Sequence, residues 1–109
     1  MEVIVSDKKD YSVITLKGRM DATTVARFEE VCTATLEKKF SKIIIGLEEL
    51  EYISSAGLRG ILLMEKLSKK YNTILVFYGL QHMVKEVFDI SGFTAILKIC
   101  DTYDNAVKA

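Results

Sequence analysis

Ser54 and Ser55 stand side by side in Tyr52-Ile53-Ser54-Ser55-Ala56-Gly57-Leu58-Arg59-Gly60-Ile61-Leu62-Leu63, the stretch of this chain in which residue types and spacing say most about chemistry. A loop runs there into an apolar-periodic segment, which places both hydroxyls at the start of a helix. A helix start presents free backbone N–H groups and the positive end of the helix dipole, so it favours negative charge. A serine at such a place has two uses. As a cap, its oxygen accepts a backbone N–H bond worth about 1 kcal/mol. As a phosphate acceptor, it gains roughly −1.5 to −2 charges in a field already suited to them and becomes a switch. The two uses are compatible, and one geometry serves both.

Other chemistries find little footing. The only histidine, His82, sits beside Gln81 at the start of a later helix and reads as a surface residue. Cys32 and Cys100 are far apart and fit no metal-ligand spacing. Walker A, Cys-x-x-Cys and His-Glu-x-x-His patterns are absent, so neither a P-loop nor a metal is indicated, and no cofactor is expected. Gly57-Leu58-Arg59-Gly60 has the outline of a Gly-x-x-Gly RNA loop, but an apolar helix follows it. Lys plus Arg and Asp plus Glu number 15 each. A nucleic-acid binder normally carries a basic excess, so that balance argues against one. No apolar run approaches the roughly 18 residues of a membrane span, and Met1-Glu2-Val3-Ile4-Val5 lacks the basic start of a signal peptide. A cytoplasmic protein with reduced thiols and no membrane contact is the expectation.

The 109 residues are enough for one domain, and no proline, repeat or linker marks a boundary. Glu2–Ser6 and Tyr11–Lys17 read as an antiparallel hairpin turned by Asp7-Lys8-Lys9-Asp10. Gly18-Arg19-Met20-Asp21 breaks the strand pattern. Asp21, Thr23 or Thr24 then caps a helix running to about Lys39, with Val25, Phe28, Val31, Cys32, Thr35 and Leu36 facing inward. Ile43-Ile44-Ile45 is a strand covered on both faces. Gly46 to Ser55 is expected to be a loop at its carboxyl end, where α/β sheets carry their sites. A helix over about Ala56–Tyr71 follows, then a strand over Thr73–Tyr78 and a helix over Gln81–Ile90 with Met83, Val84, Val87 and Phe88 on one side. Gly92 closes that helix, Ala95–Ile99 forms a strand, and a short helix from Asp101 to Lys108 turns Tyr103, Ala106 and Val107 inward. The order β-β-α-β-α-β-α-β-α implies a mixed, largely parallel sheet with an N-terminal hairpin and about four helices. On a helical wheel, Ala56, Gly60, Leu63, Met64, Leu67 and Tyr71 face the core with Gly57 near them. Ser55, Leu58, Arg59 and Leu62 fall on the outer side, as a partner surface or a contact with another helix.

The serine segment resembles the signature of STAS domains, specifically of the bacterial anti-sigma factor antagonists. Their motif runs aromatic, aliphatic, Asp or Ser, phosphorylatable Ser, small residue, Gly, Leu, and Tyr52 to Leu58 fill it in order. Gly18-Arg19-Met20-Asp21-Ala22 is similar to the family's Gly-x-Leu/Met-Asp element. Val87-Phe88-Asp89-Ile90-Ser91-Gly92-Phe93 is similar to its late helix-ending motif. The resemblance spans essentially the whole chain and implies a single STAS-like domain over residues 1–109. It implies a non-enzymatic partner switch as well. The unphosphorylated protein binds an anti-sigma factor that is also a serine kinase and so frees the sigma factor. Phosphorylation breaks the complex, and a phosphatase restores the starting state. By position the acceptor is Ser55, with Ser54 the second choice because many relatives have Asp there. Asp21 matches an acidic position beside the serine, and Ala56 removes a second hydroxyl that some relatives carry. The partner surface expected from motif and wheel together is Asp21, Ser54, Ser55, Gly57, Leu58, Arg59 and Leu62. Two other readings compete: a small nucleotide- or phosphate-binding α/β protein using the same loop, and a scaffold STAS domain of a multi-component sensor. The start at Met1 and the finish just past the last helix argue against the scaffold.

Overall fold

Alternation of apolar residues decides the first hairpin. In the computed structural model, which covers all 109 residues, β1 (Glu2–Asp7) runs antiparallel to β2 (Ser12–Met20), pairing Val3 with Leu16 and Val5 with Ile14. The Asp7 carboxylate ties the turn together. It accepts from Ser12 Oγ at 2.7 Å and from Lys38 Nζ at 2.8 Å. Four helices and three more strands follow: α1 (Val25–Leu36), β3 (Lys42–Ile53), α2 (Ser55–Lys70), β4 (Ile74–Tyr78), α3 (His82–Ile90), β5 (Lys98–Cys100) and α4 (Tyr103–Lys108). The element order matches the sequence expectation.

The sheet is β1-β2-β3-β4-β5, with every pair after the first parallel. Three successive crossovers step in the same direction across it, and crossovers of one hand then lay all three helices on one face. Accordingly Phe28, Cys32, Leu36, Ile61, Met64, Val84 and Phe88 share one core with Ile14, Leu16, Ile43, Ile45, Leu47, Leu75 and Phe77. On the reverse face α4 alone covers Val13, Ile44, Val76 and Tyr78, with Ala106 at the centre of the contact.

The strands depart from expectation where they matter most. β2 continues through Gly18-Arg19-Met20, and β3 continues to Ile53, so Gly46–Ile53 is strand rather than loop. Two register shifts make this possible: Thr15 pairs with Gly46 but Lys17 with Glu49, and Gly18 pairs with Leu50 but Arg19 with Tyr52. In each, β3 carries one extra residue, as a β-bulge does. Leu47, Leu50 and Ile53 are three apart, a spacing that a regular strand would send to alternating faces. The two bulges bring all three into the core.

Smaller differences have local causes. α1 ends at Leu36, and Lys39 then adopts a left-handed conformation (φ 63°). Met83 is 63% exposed, because the nine-residue α3 buries only Val84 and Phe88. Gly92 (φ 77°) turns the chain as expected, but a 3₁₀ turn over Phe93–Ala95 follows, packing the Phe93 ring 5.8 Å from that of Phe88. The Leu97 N–H returns to Phe93 O, which delays β5 to Lys98.

Candidate functional site

Ser54 and Ser55 do different work. Ser54 is the N-cap of α2: its backbone is extended (φ −94°, ψ 175°) and its Oγ accepts from Gly57 N–H at 3.2 Å. Its carbonyl accepts the Leu58 N–H, the first helical bond, and its own N–H donates to Met20 O at 2.9 Å. That last bond fastens the mouth of α2 to the end of β2. Ser55 is the first helical residue, exposed, and its hydroxyl takes no part in the cap. The first turn of α2 contains no acidic side chain, so nothing on the helix itself offsets the positive end of its dipole.

Two glycines set how α2 sits. A Cβ on Gly57 would come within 2.7 Å of Ile53 Cγ1 and 3.0 Å of the Met20 carbonyl oxygen, so only a bare backbone fits against the sheet. A Cβ on Gly60 would lie 2.3 Å from Val25 Cγ2, so that residue lets α1 close in. Helix orientation follows from these two contacts, and the wheel needs correcting. The buried face is Gly57, Gly60, Ile61, Met64 and Ser68. Leu63, expected inside, is 53% exposed. Leu58 and Leu62, expected outside, are half-buried and pack against the core. Ser55 and Arg59 remain outward and exposed as expected.

Asp21 is brought beside the mouth because it follows Met20 directly. It does not cap α1 through its carboxylate. Oδ1 instead accepts from Thr23 Oγ1 at 2.6 Å and Thr23 N–H at 2.9 Å, closing a tight turn, while the Asp21 carbonyl receives the N–H groups of Thr24 and Val25. The Thr23 hydroxyl and backbone bonds hold the Asp21 carboxyl below its usual range, so it is firmly ionised. Thr24 occupies the N-cap position without a side-chain cap; its hydroxyl donates to Arg19 O.

The contacts around the site are not written in the sequence. The Arg19 guanidinium lies 4.1 Å from the centroid of the Tyr52 ring, a cation–π stack across the β2–β3 register. Tyr52 and Ile53 join Met83, Val84 and Val87 around a small apolar pit of about 50 Å³. On the other side of the strand ends, Lys17, Gly18, Glu48, Glu49, Glu51 and Gln81 line a polar hollow of about 340 Å³. Gln81 Nε2 donates to Glu48 O, and Lys17 pairs with Glu49 at 3.4 Å. Between α1 and α2 runs a groove of about 490 Å³ lined by Val25, Glu29, Arg59, Leu62, Leu63 and Lys66 among others. The motif named Tyr52 only as an aromatic. The pairing of Arg19 with it depends on a bulge that no local pattern announces.

This arrangement presents a free hydroxyl at a helix start, a pinned backbone beneath it, and an acidic rim nearby. Comparisons with known proteins bear on the family and fold that carry this arrangement. The profile of the STAS domain matches residues 2–106. A protein of Bordetella bronchiseptica named "Putative anti-sigma factor antagonist BtrV" is 34% identical over 107 residues, spanning 97% of this chain and 92% of its own. The crystal structure of an anti-sigma factor antagonist from Mycobacterium paratuberculosis superposes with a TM-score of 0.89 at 19% identity, over 98% of this chain and 91% of that one. The antagonist SpoIIAA in its unphosphorylated form gives a TM-score of 0.81 at 18% identity, over 97% and 93% of the two chains. In its phosphorylated form, described as a Bacillus cell fate determinant, it gives 0.73 at 17%, over 98% and 97%. At these identities the solved structures speak for the fold.

Proposed function

The chain belongs to the STAS-domain family, and on that premise we propose that it is an anti-sigma factor antagonist switched by phosphorylation of Ser55. It is a binding protein rather than an enzyme and works in the cytoplasm. Unphosphorylated, it docks on an anti-sigma factor through the mouth of α2 and its surroundings: Asp21, Ser54, Ser55, Gly57, Leu58, Arg59 and Leu62. Docking releases the sigma factor. The anti-sigma factor, acting as a serine kinase, transfers the γ-phosphoryl group of ATP to Ser55 Oγ with loss of ADP, and the complex separates. A phosphatase hydrolyses the phosphoserine and restores binding.

One observation carries this reading: of two adjacent serines, Ser54 spends its oxygen on the cap, and Ser55 stands exposed at the helix start. A phosphate on Ser55 suits the helix dipole, so the fold need not open. The added charge joins Glu48, Glu49, Glu51 and Asp21, repels an acidic patch on the partner and must be desolvated at a close interface. A loss of about 3 kcal/mol weakens binding more than a hundredfold. No large rearrangement is required.

The nucleotide-binding alternative has less support. The polar hollow along β3 is lined by Glu48, Glu49 and Glu51, which repel a polyphosphate. The test is direct. Incubation with ATP and the cognate anti-sigma kinase, followed by mass spectrometry, places the phosphate on Ser55. Ser55→Ala binds the kinase and stays unmodified; Ser55→Asp folds and does not bind. An aspartate variant that binds as tightly as wild type removes the switch.

A further inference from the structure

We infer that Arg59 is the built-in counter-ion of the phosphate on Ser55 and that phosphorylation draws its guanidinium out of the α1–α2 groove. This rests on Ser55 being the acceptor. Ser55 and Arg59 are four apart on α2, both exposed, both on the side away from Gly57, Ile61, Met64 and Ser68. Residues at that spacing are neighbours, and an acid placed N-terminal to a base is the favourable order. A guanidinium also matches a phosphate with two parallel N–H···O bonds.

Arg59 is uncommitted before phosphorylation. The chain's ion pairs are Lys17–Glu49, Arg27–Glu30, Lys38–Asp7, His82–Glu86 and Lys85–Asp89, and Arg59 is in none of them. Nor is it stacked on an aromatic ring, as Arg19 is on Tyr52. It lies in the N-terminal half of a helix whose first turn lacks an acid, where a cation faces the unfavourable end of the dipole. A phosphate on Ser55 supplies the missing negative charge and gives Arg59 a partner in one step. Arg59 lines the groove with Val25, Glu29, Leu62, Leu63 and Lys66. Moving it to the helix mouth leaves Lys66 as the cation of that lining. Phosphorylation therefore changes two surfaces at once: the mouth gains an anion, and the groove loses a cation that a partner would have met.

The test installs phosphoserine at position 55 by genetic encoding, so no kinase is involved, and follows the phosphate by ³¹P NMR against pH. Arg59 favours the dianion, so Arg59→Gln raises the second phosphate pKa by roughly 0.2–0.4 units, and Arg59→Lys recovers part of the difference. Phosphoserine installed at position 54 lies five residues from Arg59 and does not respond to Arg59→Gln. Equal pKa values in wild type and Arg59→Gln overturn the proposal. So does an equal response at positions 54 and 55, which would reveal only general charge. A kinase that modifies some other residue would defeat the acceptor assignment and leave this titration unchanged, so the two failures are distinguishable.

Discussion

The two faces of the sheet are built on different principles. Beneath α1, α2 and α3 lies a core of 19 buried side chains; beneath α4 lies a cluster of 5. The first face is mainly apolar, with Thr35 and Ser68 its buried hydroxyls, and is tightened by Gly57 and Gly60, which bring α2 against the sheet and α1. The second is held largely by polar contacts. Lys42 Nζ donates to the carbonyls of Ala106 (2.9 Å), Val107 and Ala109 (3.1 Å) at the end of α4, and Tyr11 and Tyr103 share a hydroxyl hydrogen bond of 2.7 Å. Each arrangement suits what it supports. The proposed phosphorylation of Ser55 calls for a platform that does not yield to added negative charge, and the larger core offers one. α4 closes an apolar sheet face too small to hold a six-residue helix by burial alone.

Each face holds one thiol, and these should differ most. Cys32 is fully buried in the larger core, and burial pushes its thiol from an ordinary value near 9 up to about 12. At pH 8 roughly one part in ten thousand is thiolate, before access is even considered. Cys100, half-buried beside α4, should react with iodoacetamide at pH 8 in the folded protein, while Cys32 reacts only after global unfolding. Equal rates would mean that the larger core opens as readily as the smaller. The sign of the pH effect follows. The folded state keeps a proton that the unfolded chain releases, so this contribution to stability is complete below about pH 9 and declines as pH rises toward 12. Phe28→Ala comes next. It removes a fully buried ring from α1 and should cost about 3–5 kcal/mol in chemical denaturation, taking binding down with the fold.

Much of the first face was legible because its signals are local. Phe28, Cys32 and Leu36 recur at helical spacing, Ile43-Ile44-Ile45 is a two-sided strand, and Gly92 at a helix end signals the left-handed conformation that its φ of 77° shows. The serine at the helix start was legible for the same reason. What escaped depends on contacts between distant segments. The bulges that carry β3 to Ile53 come from its pairing with β2, and Leu47-x-x-Leu50-x-x-Ile53 breaks the alternation of a regular strand. The orientation of α2 depends on how closely Gly57 approaches Met20 and Gly60 approaches Val25, distances that a helical wheel does not contain. Hence Leu63 and Leu62 were exchanged between inside and outside, while Ser55, opposite both glycines, was placed correctly.

The second face should break more cheaply and without harm to the switch. Lys42→Met keeps an apolar stem against Tyr11 and removes the donor that caps α4, for about 1–2 kcal/mol. Amide exchange should quicken in Tyr103–Lys108 and stay unchanged in β3 and α2. Phosphorylation of Ser55 by the cognate kinase should proceed at the wild-type rate. A variant that melts α2 along with α4 would show that the two faces are one cooperative unit.

The smallest effect is the one that separates the two serines. Ser54→Ala removes an N-cap that accepts from Gly57 N–H and should cost about 1 kcal/mol, read as a lowered denaturation midpoint with an unchanged slope. Ser55→Ala touches an exposed hydroxyl outside the cap and should stay within about 0.5 kcal/mol of wild type. Phosphorylation should show the reverse pattern, surviving in Ser54→Ala and vanishing in Ser55→Ala. If the stability loss fell on Ser55 instead, its hydroxyl would be the structural one, and a phosphate there would have to break the cap before it could signal. The division of labour needs both measurements on both variants, because a switch residue with no structural duty is one that a kinase can modify without unfolding the helix it sits on.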